Sequence, residues 1–207
     1  MMQEVLPPHT TGPRHFNLTA RFLHWVMAIA ILAMLFIGVA MMSSLALRPV
    51  LINMHQPLGI AILCLALVRL VNRLYRPVPA LPASVPRWQA AAAHLSHGLL
   101  YLLMVGLPLL GWAVRSAGNW PVILVGDWSL PAIVPENPVL YAWLRLAHGA
   151  LAWLLFAIIL GHLGAALMHA WVHRDGVFSS MARGTGKQRT QPESGSRPTS
   201  RIDSGQP

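Results

Sequence analysis

Residues 147–164 read AHGALAWLLFAIILGHLG. This stretch is apolar apart from two histidines, His148 and His162, which stand fourteen residues apart. Fourteen residues make nearly four turns of an α-helix, so both side chains point the same way, about 21 Å apart along the axis. The stretch therefore predicts a membrane-crossing helix that offers one imidazole at each of two depths.

Three further apolar segments accompany this one, in a chain too apolar for an ordinary soluble protein. Of its 207 residues 55% are hydrophobic and 10% are charged, whereas soluble proteins carry about 25% charged residues. Each segment reaches the roughly 20 residues that a helix needs to cross a bilayer, and lipid cannot satisfy an open backbone. The sequence thus predicts an all-α integral membrane four-helix bundle, with segments at residues 22–47, 51–75, 90–114 and 140–172.

The polar ends of the chain are predicted to lie outside this bundle. Residues 1–18 form a cytoplasmic leader and residues 19–174 the transmembrane domain. Residues 175–207 form a tail rich in Ser, Gly, Arg, Gln and Pro, which is predicted to be a disordered cytoplasmic segment.

Arginines are distributed unequally between the two ends of the predicted bundle. The richer end holds Arg14, Arg21, Arg69, Arg73, Arg76, Arg87 and every basic residue from Arg174 onward. The other end holds only Arg48, Arg115 and Arg145. The positive-inside rule places the richer end, and with it both termini, in the cytoplasm. The formal net charge of +9 is explained by this orientation, and no nucleic-acid partner is expected.

Missing motifs exclude several kinds of chemistry. Cys64 is the only cysteine, so a disulfide framework, a thiolate metal site and covalently attached c-type haem are excluded. All six acidic residues lie outside the apolar segments, whereas proton-coupled transporters usually need an intramembrane carboxylate. The sequence contains no phosphate loop and no G-x-G-x-x-G motif, so nucleotide chemistry is not supported.

Histidines are concentrated in the apolar segments, although ionisable side chains are costly in a membrane and usually mark a functional site. Eight of the ten lie there: His24, His55, His94, His97, His148, His162, His169 and His173. His24 shares the cytoplasmic depth of His162, and His55 shares the opposite depth with His148. Two imidazoles that face each other across a bundle are what a six-coordinate haem requires. We therefore predict two haems b, with iron held by His24 and His162 and by His55 and His148.

Glycines and arginines beside these histidines have two interpretations each. Gly38 and Gly59 stand near predicted ligands and either give a porphyrin room or serve helix packing. Arg69, fourteen residues after His55, and Arg21, three residues before His24, either bind a haem propionate or simply follow the positive-inside distribution.

The segments that carry these residues resemble the bacterial cytochrome b561 family of four-helix dihaem membrane proteins. The similar segments are RFLHW (21–25), NMHQ (53–56), VRL (68–70), HLSH (94–97) leading to Tyr101, LP (107–108) with Gly111, AHG (147–149) and GH (161–162). The similarity covers about residues 14–173. It implies haem ligands at His24, His55, His148 and His162, in agreement with the depth argument, and a location in the bacterial inner membrane.

The resemblance also implies redox partners. A quinone, ubiquinone in particular, is implied as the electron partner, and in some members superoxide is oxidised at the periplasmic face. His94 and His97 lie one turn apart at the cytoplasmic depth, where they serve either a quinone headgroup or structural hydrogen bonds.

Three functions remain open on the sequence alone. The first is a self-contained superoxide:quinone oxidoreductase or electron carrier that exchanges electrons between quinone and a small donor, either superoxide or a periplasmic redox protein. The second is a cytochrome b anchor subunit of a larger oxidoreductase, similar to those of hydrogenases and formate dehydrogenases. The third is a transporter or structural protein without haem.

Overall fold

Four long helices make up most of the computed structural model, which describes residues 16–76, 85–124, 128–175 and 177–182. They are α1 (Leu18–Ser43), α2 (Arg48–Tyr75), α3 (Arg87–Ala117) and α4 (Pro138–Met168). Helix α4 continues into one π-helical turn (His169–His173), and a short helix α5 (Val177–Ala182) follows. The predicted all-α bundle of four apolar helices is confirmed.

Local signals in the sequence explain where the helices begin and end. Asn17 and Asn137 are the N-caps of α1 and α4, and the Asn17 side chain accepts a hydrogen bond of 2.7 Å from the N–H of Ala20. Helix α1 ends four residues earlier than predicted, because Ser44 adopts an extended conformation. A tight turn through residues 45–47 then leads into α2.

The helices run up and down in chain order and pack as neighbours: α1 against α2, α2 against α3, and α3 against α4. We call the end where α1 and α3 begin the inner end, and the opposite end the outer end. A buried apolar cluster joins all four helices and consists of Met27, Ile31, Ile62, Ala66, Leu103, Met104, Leu107 and Leu155. Leu155 lies seven residues from both His148 and His162, so this cluster separates the two histidine depths.

The outer surface of the bundle is apolar. Each of the four helices is long and apolar enough to cross a membrane, yet only 6% to 22% of its most apolar window is buried within the chain. Phe36 is 74% exposed and Trp171 is 71% exposed. An apolar surface of this extent requires lipid around it, so the chain is a membrane protein.

A small β-hairpin lies in the link between α3 and α4. Strand β1 (Val122–Ile123) pairs with β2 (Ser129–Leu130) in antiparallel register, with Val122 opposite Leu130. Helix α3 anchors this link: the indole N–H of Trp112 donates to the carbonyl of Pro131 at 2.9 Å, and Arg115 Nη2 donates to the carbonyl of Pro121 at 3.2 Å.

The predicted tail differs from the structure at its beginning. The prediction that the chain is disordered from residue 175 onward is wrong for residues 177–182, because these residues form α5. The rest of the tail (183–207), like residues 1–15 of the leader, lies outside the described residues. Arg21 of α1 explains the difference, because its Nε and Nη2 donate to the carbonyls of Met181 and Ala182 at 3.1 and 3.0 Å. A cation that binds the last carbonyls of a helix stabilises that helix.

The other end of α5 is held by Asp175. Its carboxylate accepts the N–H of Val177 at 3.1 Å and lies 2.6 Å from Nδ1 of His169. Burial alone would raise the pKa of the Asp175 carboxyl, but the hydrogen bonds from Val177 and His169 outweigh it, and the pKa is lowered below its usual value. The carboxylate therefore stays ionised and keeps both contacts.

Replacing Arg21 with alanine is expected to release α5 from the bundle. Hydrogen bonds from a charged donor contribute about 1.5–3 kcal/mol each when well formed, so we expect residues 177–182 to be cleaved at least several-fold faster in limited proteolysis of the detergent-solubilised protein. The control is Arg87→Ala, which removes an exposed arginine at the same end. Equal cleavage rates in the two variants would show that Arg21 does not hold α5.

Candidate functional site

Two facing pairs of histidines occupy the interior of the bundle, one near each end. At the inner end, His24 of α1 and His162 of α4 have ring centroids 6.4 Å apart, with 68° between the ring planes. At the outer end, His55 of α2 and His148 of α4 have centroids 6.2 Å apart and planes at 66°. Helix α4 contributes one ring to each pair, because its two histidines lie on the same face.

The spacing within each pair fits two imidazoles that share one iron atom. A bond between a metal and an imidazole nitrogen is about 2 Å long, and the centre of each ring lies about 1 Å beyond its nitrogen, so centroids about 6 Å apart are expected. At the outer pair, Nδ1 of His55 is buried without a hydrogen-bond partner among the described residues. The donor set and its spacing therefore fit a haem at each level.

A glycine of α3 makes room for one of these rings. A Cβ atom added at Gly111 would lie 3.5 Å from Nδ1 of His148, an ordinary contact, and 3.2 Å from its Cε1, which is tighter than normal packing. The sequence pointed to Gly111 only through the family resemblance. Its role depends on how α3 and α4 align, and residue spacing within a single helix carries no information about that alignment.

The two glycines that were predicted to make room for a porphyrin have different surroundings. A Cβ added at Gly38 would meet nothing within 4 Å, whereas one at Gly59 would make ordinary contact with the Met34 side chain at 3.6 Å. Gly38 therefore borders open space, and Gly59 belongs to the packing between α1 and α2. Contact of either residue with haem stays a prediction.

The two arginines that were predicted to bind propionates make different contacts. Arg69 lies fourteen residues after His55 on α2, which places it at the inner level. Its Nε donates to the hydroxyl of Tyr101 at 3.1 Å, and its Nη1 is buried without a partner among the described residues. Arg21 instead serves packing, through the carbonyls at the end of α5. Of the two, only Arg69 offers a buried, unpaired donor near the inner histidine pair.

The two histidines of α3 have different surroundings in the structure. His94 is exposed, whereas His97 is half-buried, with its ring centroid 5.4 Å from that of His162. His97 thus adds a third imidazole at the inner level, and His94 faces outward. Contact of either with a quinone stays a prediction. His169 and His173 form another close pair, 5.2 Å apart, on the π-helical turn.

Comparisons with known proteins all point to one family. The family model described as prokaryotic cytochrome b561 matches residues 15–184. The chain is 29% identical to cytochrome b561 homolog 1 of Escherichia coli (strain K12), over 80% of this chain and 96% of that protein. It is 23% identical to cytochrome b561 homolog 2 of the same organism, over 83% of this chain and 93% of that protein. It is 29% identical to the probable superoxide oxidase CybB of Yersinia pestis, over 77% and 90%.

Gly111→Ala is expected to disturb the outer histidine pair alone. The added methyl group must displace the His148 ring by a few tenths of an ångström, and overpacking of this kind costs about 1–3 kcal/mol. We expect weaker binding and an altered absorption spectrum for the haem that is predicted at the outer pair, and no change for the haem that is predicted at the inner pair. The measurement is haem content per polypeptide together with low-temperature α-band spectra.

Gly106→Ala is the matched control for this experiment, because a Cβ at that position of α3 meets nothing within 4 Å. Both variants gain the same intrinsic helix propensity, so the difference between them reports on the His148 contact. Identical spectra for the two variants would contradict the proposed role of Gly111.

Proposed function

Because the chain belongs to the prokaryotic cytochrome b561 family, we propose that it carries electrons across the bacterial inner membrane between an outer donor and the quinone pool. In this proposal His24 and His162 hold one haem b, and His55 and His148 hold the other. The observation that carries it is the presence of two histidine pairs with centroid separations of 6.4 and 6.2 Å. Haem supplies one-electron redox chemistry when it is bound.

The polypeptide sets the positions of the two proposed haems and the environment around them. Helix α4 sets the two levels about 21 Å apart, since His148 and His162 are fourteen residues apart on one rigid helix. The apolar cluster around Leu155 keeps water out of the space between the levels. At the inner end, Arg69 offers a charged donor suited to a propionate carboxylate. Ubiquinone is the proposed acceptor at this end, where His97 lies beside His162.

Superoxide is the proposed donor at the outer end. Support comes from the relative in Yersinia pestis, which is named a probable superoxide oxidase, and from Arg115. The Arg115 guanidinium stacks 5.3 Å from the ring of Trp120, and its Nε is buried without a partner among the described residues. Such a cation attracts a small anion. Two superoxide ions would release two electrons and two molecules of oxygen, while one quinone takes up two electrons and two protons.

The cytochrome b anchor of a larger oxidoreductase is the second candidate. A lipid-exposed or end surface of the bundle would then bind a metal-bearing partner subunit. Purification from the native membrane separates the two functions, because reduction of the isolated chain by superoxide supports the first, and copurification with an iron–sulfur subunit supports the second.

Single alanine substitutions of the four proposed ligands are expected to fall into two groups. His24→Ala and His162→Ala should lose the same haem, and His55→Ala and His148→Ala the other, because each haem needs both its imidazoles. Haem content should fall from about two to about one per polypeptide, as measured by pyridine haemochrome assay, with different α-bands lost in the two groups. The control is His94→Ala, which removes an exposed histidine of α3. A colourless wild-type protein, or any other grouping, would refute the assignment.

Arg115→Gln is expected to slow reduction by superoxide. Loss of a steering cation lowers an association rate by roughly tenfold or less, and the difference shrinks at high ionic strength. The measurement is the rate of haem reduction after a pulse of superoxide, at low and high salt. Arg145→Gln serves as the control, since Arg145 is an exposed arginine near the same end. Equal rates for both variants would remove Arg115 from the proposed donor site.

A further inference from the structure

Tyr101 of α3 connects two arginines of α2 at the inner end of the bundle. Its hydroxyl accepts the hydrogen bond from Nε of Arg69 at 3.1 Å, and the guanidinium carbon of Arg73 lies 5.8 Å from the centre of its ring. Arg69 and Arg73 are one turn apart on α2. One tyrosine therefore contacts both cations, through its hydroxyl and through its ring face.

The hydrogen bond to Tyr101 limits how the Arg69 side chain can orient. A guanidinium group is planar and rigid, so a bond at Nε determines the plane in which the other two nitrogens lie. One of these, Nη1, is buried and has no partner among the described residues. A bond to a neutral hydroxyl leaves the charge of Arg69 in place.

This charge lies close to the inner histidine pair. Arg69 lies fourteen residues after His55 on α2, so it is on the same face of that helix and about 21 Å towards the inner end, which is the level of the inner pair. The two acidic residues in the described part of the chain have other surroundings: Asp175 pairs with His169, and Glu136 lies in the link before α4 at the outer end. In a medium of low dielectric, a charge at this position acts much more strongly than in water.

We propose that Tyr101 is a positioning residue that holds the Arg69 guanidinium beside the inner histidine pair and so raises the reduction potential of the haem bound there. This inference rests on the proposed function. A positive charge near the iron stabilises the reduced state, which carries one positive charge less than the oxidised state. Tyr101 acts only through Arg69. A higher potential at the inner level favours the delivery of electrons towards that end of the protein.

The test is a potentiometric titration of the purified protein with both haems bound, for the wild type, Tyr101→Phe, Arg69→Gln and the double variant. His24→Ala identifies the α-band of the inner haem. We expect a lower midpoint potential for that haem in all three variants, with the largest shift in Arg69→Gln, and an unchanged outer haem. The double variant should match Arg69→Gln, because Tyr101 has no effect once the arginine is absent.

Tyr75→Phe is the matched control, since Tyr75 is 83% exposed at the end of α2 and should leave both potentials unchanged. An unchanged inner potential in Tyr101→Phe, or shifts that add up in the double variant, would overturn the inference while the proposed function stands. A wild-type protein that binds no haem would overturn both. Tyr101→Phe keeps the ring beneath Arg73, and its haem content per polypeptide shows whether the fold is intact.

Discussion

An imidazole inside a membrane needs a partner, because lipid offers neither hydrogen bonds nor solvation. This chain places four such rings in two facing pairs, and the rest of the bundle is arranged around them. One continuous helix, α4, supplies a ring to each pair, while α1 and α2 supply the opposite rings. The apolar cluster between the levels joins all four helices, so the fold that buries the core also sets the distance between the pairs.

The two ends of the bundle differ in chemistry. The inner end is rich in cations and hydrogen-bond donors: His97 lies beside His162, and Tyr101 contacts Arg69 and Arg73. The outer end has a glycine against His148 and a hairpin anchored to α3. The proposed carrier, which exchanges electrons with different partners at its two ends, requires such an asymmetry, since each level must match its own donor or acceptor in charge, access and potential.

The fold and much of the candidate site could be predicted from the sequence, because membranes restrict the choices. Four long apolar segments can cross a bilayer only as helices, and α-helical geometry converts the spacing of His148 and His162 directly into depth. Features that depend on contacts between distant segments were missed. Helix α5 is held in place by Arg21, about 160 residues earlier in the chain. The composition of the tail is typical of a disordered segment and did not indicate that contact.

The sequence by itself determined the number and order of the four long apolar helices, the family and the depth of each histidine along its helix, since all of these follow from local spacing and composition. Only the tertiary structure decided which side chains meet across helices: Gly111 with His148, Arg69 with Tyr101, and Arg21 with α5. The physical reason is that depth along a helix is set by the rise per residue. The rotation and register of one helix against another are set by packing of the whole bundle, and no single segment encodes that packing.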